Sequence, residues 1–328
     1  MGILQDAYKP DEFVRLKGGD GIGVKKREWD GWQPDRPLSV QIAGNVIDIK
    51  QSARPPRRIN VEWIDADTYV DLDTGEIKEA QRSETRGDHM SLPELRRTMA
   101  RMRGLINANF FGDDNERLVT VTYQENMTDT KRLYYDMQKF VDRMKYRLGE
   151  IKYVTAVEPQ GRGAWHAHML VKQLTANSTY LTAEMVQEIW PHGWIVDVEP
   201  MTSVDNVGAY LSAYLSNAPD DAAGDVASAL PESERRVPKR VIKGARLKMY
   251  PRGTHLYRTS RNLEKPLQKK LRPLSSQLLD LIAGAELRYS QKIDLYGHTE
   301  AESEYYINSI AHQCYVRKHK PGGGEYND

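Results

Sequence analysis

The strongest alternation of apolar and polar positions runs from residue 91 to residue 200. Ser91 with Glu94 three residues later forms a capping box, and Leu95, Met99, Met102 and Ile106 then recur at helical spacing. Arg96, Arg97, Arg101 and Arg103 give this predicted helix a basic side. RLVTVTY (117–123) is rich in β-branched residues and reads as a strand, its central threonines implying partial burial. A second helix follows, with Thr128 as the expected N-cap, Leu133, Met137, Phe140, Met144 and Leu148 on one stripe, and Gly149 at its end. IKYVTAVE (151–158) and WHAHMLVK (165–172) read as strands, and the short PQGRGA between them suits an antiparallel hairpin. A helix near 182–190, a strand at 194–199 and a helix across 203–217 complete the run.

The resulting order β, α, β, β, α, β, α matches the split βαβ arrangement of ferredoxin-like folds with one extra helix. The expected fold class is therefore α+β, a ferredoxin-like antiparallel sheet covered by helices, with an N-terminal extension and a helical C-terminal region. The predicted organisation is an irregular or small β-containing extension over 1–90 with a strand-like run at VIDI (46–49), a core domain over 91–220, an acidic linker and basic segment over 221–273, and helices within 274–328, near 274–290 and 300–316. GGDGIGVKK (18–26) fits neither a Walker nor a dinucleotide-binding pattern and reads as a flexible glycine turn.

Composition narrows the function classes. The 47 Lys and Arg nearly balance 46 Asp and Glu, so the net charge of +1 gives no chain-wide attraction for nucleic acid or an anionic membrane. The charge is local instead. Residues 218–234 hold Asp220, Asp221, Asp225, Glu232 and Glu234 with no Lys or Arg, whereas 235–272 hold 14 Lys or Arg against Glu264 alone. Arg235, Arg236, Lys239, Arg240, Lys243, Arg246 and Lys248 lead that basic stretch, which is interleaved with Tyr250, His255 and Tyr257. Such a composition suits a surface that tracks phosphates with aromatic rings for stacking, although a charge run is more often a solvated face. The single cysteine, Cys314, has no partner for an intrachain disulfide and reads as a passive thiol in a reducing cytosol. No apolar run approaches the 18 residues of a membrane span, and the opening MGILQDAYKP lacks the features of a leader, so a cytoplasmic protein with no membrane partner is expected.

His166 and His168 lie two apart in a predicted strand, so both leave the same face. Glu158 ends the preceding strand, and a register placing it opposite His166 would bring its carboxylate to that face. Two imidazoles and a carboxylate suit a divalent ion, with Mg²⁺, Mn²⁺ and Zn²⁺ all compatible. A bare His-x-His pair is more often two histidines on a polar sheet face. Tyr210 and Tyr214, in VGAYLSAYLSN, are four apart on a predicted helix and therefore neighbours, a spacing that packing alone often explains among 18 tyrosines. His192 and His255 have no spaced partner and read as structural.

In this order, INANF, LVTVTY, GRGAWHAHML, WPHGW and YLSAYLS resemble the motifs of the HUH endonucleases, specifically rolling-circle replication initiators, over roughly 91–260. The resemblance implies that His166 and His168, on a central strand, hold a divalent metal ion, Mg²⁺ or Mn²⁺, with Glu158 beside them. It implies that Tyr210 and Tyr214 are nucleophiles that nick and rejoin single-stranded DNA or an origin hairpin through a 5′-phosphotyrosine. Relaxases and transposases use the same chemistry, and a non-catalytic DNA-binding regulator is the alternative from another class. Many relatives carry Lys or Arg before the second tyrosine where this chain has Ala213. No Walker-type sequence accompanies the motifs, so strand separation would fall to supercoiling or a host helicase. The sequence leaves the oligomeric state open.

Overall fold

A computed structural model of the chain describes residues 14–15, 21–54, 60–80, 92–160, 163–176, 181–193, 196–201, 207–208, 249–251, 254–298 and 304–318. Three antiparallel sheets and four helices are formed among these residues.

The segment with the strongest sequence periodicity forms a five-stranded sheet and three of the helices. Helix α1 (Leu92–Asn107) precedes strand β8 (Glu116–Thr122), helix α2 (Thr130–Leu148), strands β9 (Ile151–Pro159) and β10 (Trp165–Gln173), helix α3 (Ala183–Ile189) and strand β11 (Val196–Pro200). The sheet order is β11-β8-β10-β9-β12, where β12 (Tyr257–Thr259) adds an outer strand, so β10 occupies the middle. This arrangement is compatible with the expected split βαβ fold. Helix α2 is capped by Asp129 rather than Thr128: the Asp129 carboxylate accepts the backbone N–H of Lys131 at 2.7 Å and of Arg132 at 3.3 Å. Gly149 ends it with φ of +77°.

Alternation along β8, β9 and β10 sends two residue sets to opposite faces. Val119, Val121, Val157, Trp165, Ala167 and Met169 pack under α2 and α3 against Leu133, Phe140, Met144, Val186 and the fully buried Trp190. Each such large apolar side chain contributes about 1.5–3 kcal/mol on burial. The other face carries Leu118, Val154 and Leu170 at one end, packed against Met102, Ile106 and Phe110 of α1 and the loop after it. His166, His168 and Glu158 lie toward the other end of that same face.

A seven-stranded sheet joins both ends of the chain. Its order is β1 (Val14–Arg15), β2 (Gly21–Arg27), β14 (Glu286–His298), β15 (Glu304–Val316), β4 (Val46–Ser52), β3 (Leu38–Ala43) and β13 (Leu267–Leu271). Leu38, Val40, Ile47 and Ile49 on one face pack beneath helix α4 (Ser276–Ile282), with Leu278 inserted from the helix. A small meander, β5 (Val61–Trp63), β6 (Thr68–Asp71) and β7 (Ile77–Glu79), stands as a third sheet. At the β3–β4 turn Gly44 has φ of +56°, and a Cβ there would lie 2.3 Å from the Asn107 carbonyl oxygen. The turn therefore seats directly on the end of α1.

Two expectations differ from the structure. Residues 21–26 of the glycine-rich segment lie in strand β2 rather than a turn. The C-terminal region is not mainly helical: among its described residues only 276–282 forms a helix, and 286–298 and 304–316 pair as long antiparallel strands. The physical reason is a polar buried face that hides the strand periodicity. Lys292, Asp294, Ser309 and Gln313 are buried in β14 and β15, where Lys292 bonds Asp30 and Arg27 lies 3.4 Å from Asp294. The N-terminal region, expected to be irregular or small and β-containing, supplies strands β1 to β7. No helix among the described residues is long and apolar enough to cross a membrane.

Candidate metal centre

The hairpin of β9 and β10 sets the register that the sequence left open. His166 pairs with Glu158 and His168 with Ala156, while on the other side His166 pairs with Thr122 and His168 with Thr120. Cross-strand partners share a face, so Glu158, His166, His168, Thr120 and Thr122 face the same way.

The three ligand-type side chains converge. Glu158 Oε2 is 3.4 Å from His166 Nε2 and 3.9 Å from His168 Nε2. The two imidazoles meet edge to face at 4.7 Å between ring centroids. Only 6% of the Glu158 side chain, 7% of His168 and 12% of His166 remain exposed, so the set is withdrawn from solvent with its open side at His166. One ligand atom from each residue lies within 4.8 Å of the others, the separation a bound ion requires. On the far side of the ring, His166 Nδ1 is buried with no hydrogen-bond partner among the described residues. These residues fit a divalent cation bound by two imidazoles and a carboxylate.

Thr120 was not singled out from the sequence. Its Oγ1 lies 3.0 Å from His168 Nδ1. With Nδ1–H donating to Thr120 Oγ1, the Nε2 lone pair is left facing Glu158, which is the tautomer a ligand needs. The period-2 pattern of LVTVTY carried the signal, but its meaning required the register against β10.

Neighbouring motifs build the scaffold. Trp190 Nε1 donates to the Thr122 carbonyl at 2.8 Å, and Gly193 lies so close that a Cβ would be 1.9 Å from that same oxygen. Trp190 and Gly193 thus clamp the end of β8. His192 sits 3.5 Å from Asp136 and 4.9 Å from the Trp190 ring, which agrees with its structural assignment. In INANF, the Asn109 side chain donates to the Leu105 and Glu264 carbonyls and accepts the Glu264 N–H. Asn107 Oδ1 accepts the Gly208 N–H at 2.7 Å, and Val207 joins the cluster of Leu118, Val154, Leu170 and Met201.

The hydroxyls of several described tyrosines are held above their ordinary range. Burial, the Asp136 charge and the hydrogen bond to Asp136 push the Tyr123 hydroxyl far above its usual range, and burial also raises Tyr153, Tyr257 and Tyr315. Tyr210 and Tyr214 lie outside the described residues, as do Arg235, Arg236, Lys239, Arg240, Lys243, Arg246 and Lys248. Cys314 is buried, and burial holds its thiol well above the ordinary range, which matches a passive thiol.

This is an α+β chain whose five-stranded sheet gathers two imidazoles and a carboxylate at one point. Over residues 116–219 it matches the family of replication-associated protein ORF2/G2P. The matched span covers β8, α2, β9, β10, α3 and β11 and gives that segment a likeness to replication-associated proteins. No curated protein and no solved structure matches the chain.

Proposed function

We propose that the chain is a metal-dependent DNA-nicking and strand-joining enzyme that initiates rolling-circle replication of a plasmid, phage or integrated element. The observation that carries this reading is the convergence of Glu158, His166 and His168 inside the span that matches replication-associated proteins. The same span includes Tyr210 and Tyr214. Val207, three residues before Tyr210, packs on the sheet face that bears the triad, which favours a tyrosine working at that face.

Glu158, His166 and His168 would hold a divalent ion, Mg²⁺ or Mn²⁺, which supplies Lewis-acid polarisation and orientation of the scissile phosphate. Thr120 holds His168 in the required tautomer. A tyrosine hydroxyl, from Tyr210 or Tyr214, gives up its proton and attacks phosphorus. The new Oη–P bond replaces the P–O3′ bond, and the departing 3′ oxygen gains a proton as a free hydroxyl that can prime synthesis. Because the ester bond is retained on the protein, a second tyrosine can open the next copy of the origin while the first still holds a 5′ end. Two residues four apart on a helix have β-carbons about 5–6 Å from each other, close enough to use one phosphate site in turn. Arg235, Arg236, Lys239, Arg240, Lys243, Arg246 and Lys248 would neutralise strand phosphates, with strand separation left to supercoiling or a host helicase.

The test is incubation with supercoiled DNA carrying the element's own origin and Mn²⁺, followed by a denaturing gel and peptide mapping. The expected product is nicked DNA covalently attached to Tyr210 or Tyr214. Tyr210→Phe should sharply reduce the first nick, whereas Tyr214→Phe should preserve it and block repeated strand transfer. Nicking without a protein–DNA adduct, or an adduct on neither tyrosine, would overturn the reading.

A further inference from the structure

The polar face of the seven-stranded sheet does not pack tightly on α1. Between them lies a cavity of about 170 Å³ bordered by Gln41, Asp48 and Lys50 from the sheet, Arg103 from α1, and His312 and Tyr289 from the C-terminal hairpin. The cavity is smaller than the roughly 300–1,000 Å³ of ordinary small-molecule pockets, so it suits one compact group rather than a whole cofactor.

Its charges choose the sign of that group. Lys50 and Arg103 bring two positive charges against one negative charge from Asp48. Asp48 is already engaged, since His312 Nε2 lies 2.8 Å from its Oδ1. Burial pushes the Asp48 carboxyl up, but the His312 hydrogen bond and the charges of His312, Lys50 and Arg103 outweigh it and hold it at about 2. Asp48 therefore remains a committed partner of His312. Neither the Lys50 nor the Arg103 side chain has an ion-pair or hydrogen-bond partner among the described residues. Gln268 Nε2 donates to Gln41 Oε1 at 2.8 Å, and this fixes the Gln41 amide with its own NH₂ group toward Gly104 of α1.

We infer that this cleft between α1 and the seven-stranded sheet binds a phosphate group of single-stranded DNA through Lys50 and Arg103. The proposal rests on the DNA-processing reading above. Helix α1 covers part of the triad-bearing face on one side and borders this cleft on the other, so a strand held here is anchored to the element that packs beside the metal centre. The same phosphate chemistry could come from a free nucleotide, and the cavity's small size favours the strand, whose sugar and base can stay outside.

The experiment measures binding of a labelled oligothymidylate to the full chain in EDTA across a salt series, for the wild type, the Lys50→Gln/Arg103→Gln double variant and Asp48→Asn. A parallel series uses thymidine monophosphate as competitor. Removing one phosphate contact should flatten the logarithmic salt dependence by about 0.7 in the double variant. Asp48→Asn, which removes the only carboxylate but keeps an acceptor for His312, should instead tighten binding. A purely structural role would weaken binding in both variants. An unchanged slope in the double variant, with origin nicking by the wild type intact, overturns the cleft proposal alone. Loss of mononucleotide binding with the oligonucleotide slope unchanged assigns the cleft to a free nucleotide and also overturns it. Failure of the wild type both to nick its origin and to bind the oligonucleotide overturns the DNA reading itself, and this proposal with it.

Discussion

In the five-stranded sheet the polar end of one face presses Glu158, His166 and His168 into a nearly solvent-free cluster, whereas in the seven-stranded sheet the polar face spreads Asp48, Lys50 and His312 around an open cleft. Both sheets bury their opposite face under helices, so the contrast lies in how the polar residues are satisfied. In the first, one carboxylate faces two imidazoles, and a buried ring nitrogen of His166 has no partner. In the second, the Asp48 carboxylate meets the His312 imidazole at 2.8 Å. The first arrangement gathers ligand-type atoms at one point, while the second sets two cations beside one carboxylate. The two faces differ in chemistry although both are built from alternating strand residues.

The largest expected effect tests the apolar support of the first sheet. Trp190 is fully buried, stacks edge-on against Phe140 and Tyr123, and holds the end of β8 by its indole N–H. Trp190→Ala should destabilise the fold by about 3–5 kcal/mol in urea unfolding. A loss below about 1 kcal/mol would mean that the end of β8 is held by something else.

The next effect is chemical rather than structural. His168→Ala should lower metal-dependent nicking by at least about 100-fold, or roughly 2.7 kcal/mol of barrier, with an unfolding midpoint close to the wild type. Loss of folding together with activity would mark His168 as a core histidine and dissolve the contrast between the sheets.

Thr120→Val keeps the shape of the side chain and removes the partner of His168 Nδ1. Metal affinity should fall about 10-fold or more, and Thr120→Ser should restore it. Equal affinity in Thr120→Val and wild type would show that His168 orients itself.

The smallest effect belongs to the second sheet. Asp48 is held at about 2, below the roughly 3.9 of an unfolded Asp, so its contribution is complete above the unfolded value and disappears as pH falls through the folded one. Because the side chain is nearly one-third exposed, its pairing with His312 should contribute about 1 kcal/mol or less. Wild type and Asp48→Asn should therefore differ modestly in stability at pH 6 and converge toward about pH 2. A gap that persists at the acid end would remove the ion pair as its cause.

The five-stranded sheet was legible because its signals are local. LVTVTY, IKYVTAVE and WHAHMLVK are short β-branched runs, and the six-residue connection before Trp165 limits the hairpin so that Glu158 can meet His166. The role of Thr120 was hidden, since a threonine in a strand acquires a partner only when the neighbouring strand's register is known. The seven-stranded sheet was largely illegible for two reasons. Strands β3 and β4 pair with β13 and β15 from the far end of the chain, which no local window contains. In β14 and β15 the inward positions include Lys292, Asp294, Ser309 and Gln313, so the apolar alternation that announces a strand is absent where the burial is greatest.

The central claim is that Glu158, His166 and His168 form one metal centre, and calorimetric titration of Mn²⁺ into the apo protein tests it without requiring a DNA substrate. The wild type should bind one ion per chain, with affinity falling as pH drops and the imidazoles protonate, and His166→Ala/His168→Ala should remove that binding event while leaving the circular dichroism spectrum unchanged. An identical isotherm in the folded double variant would contradict the account.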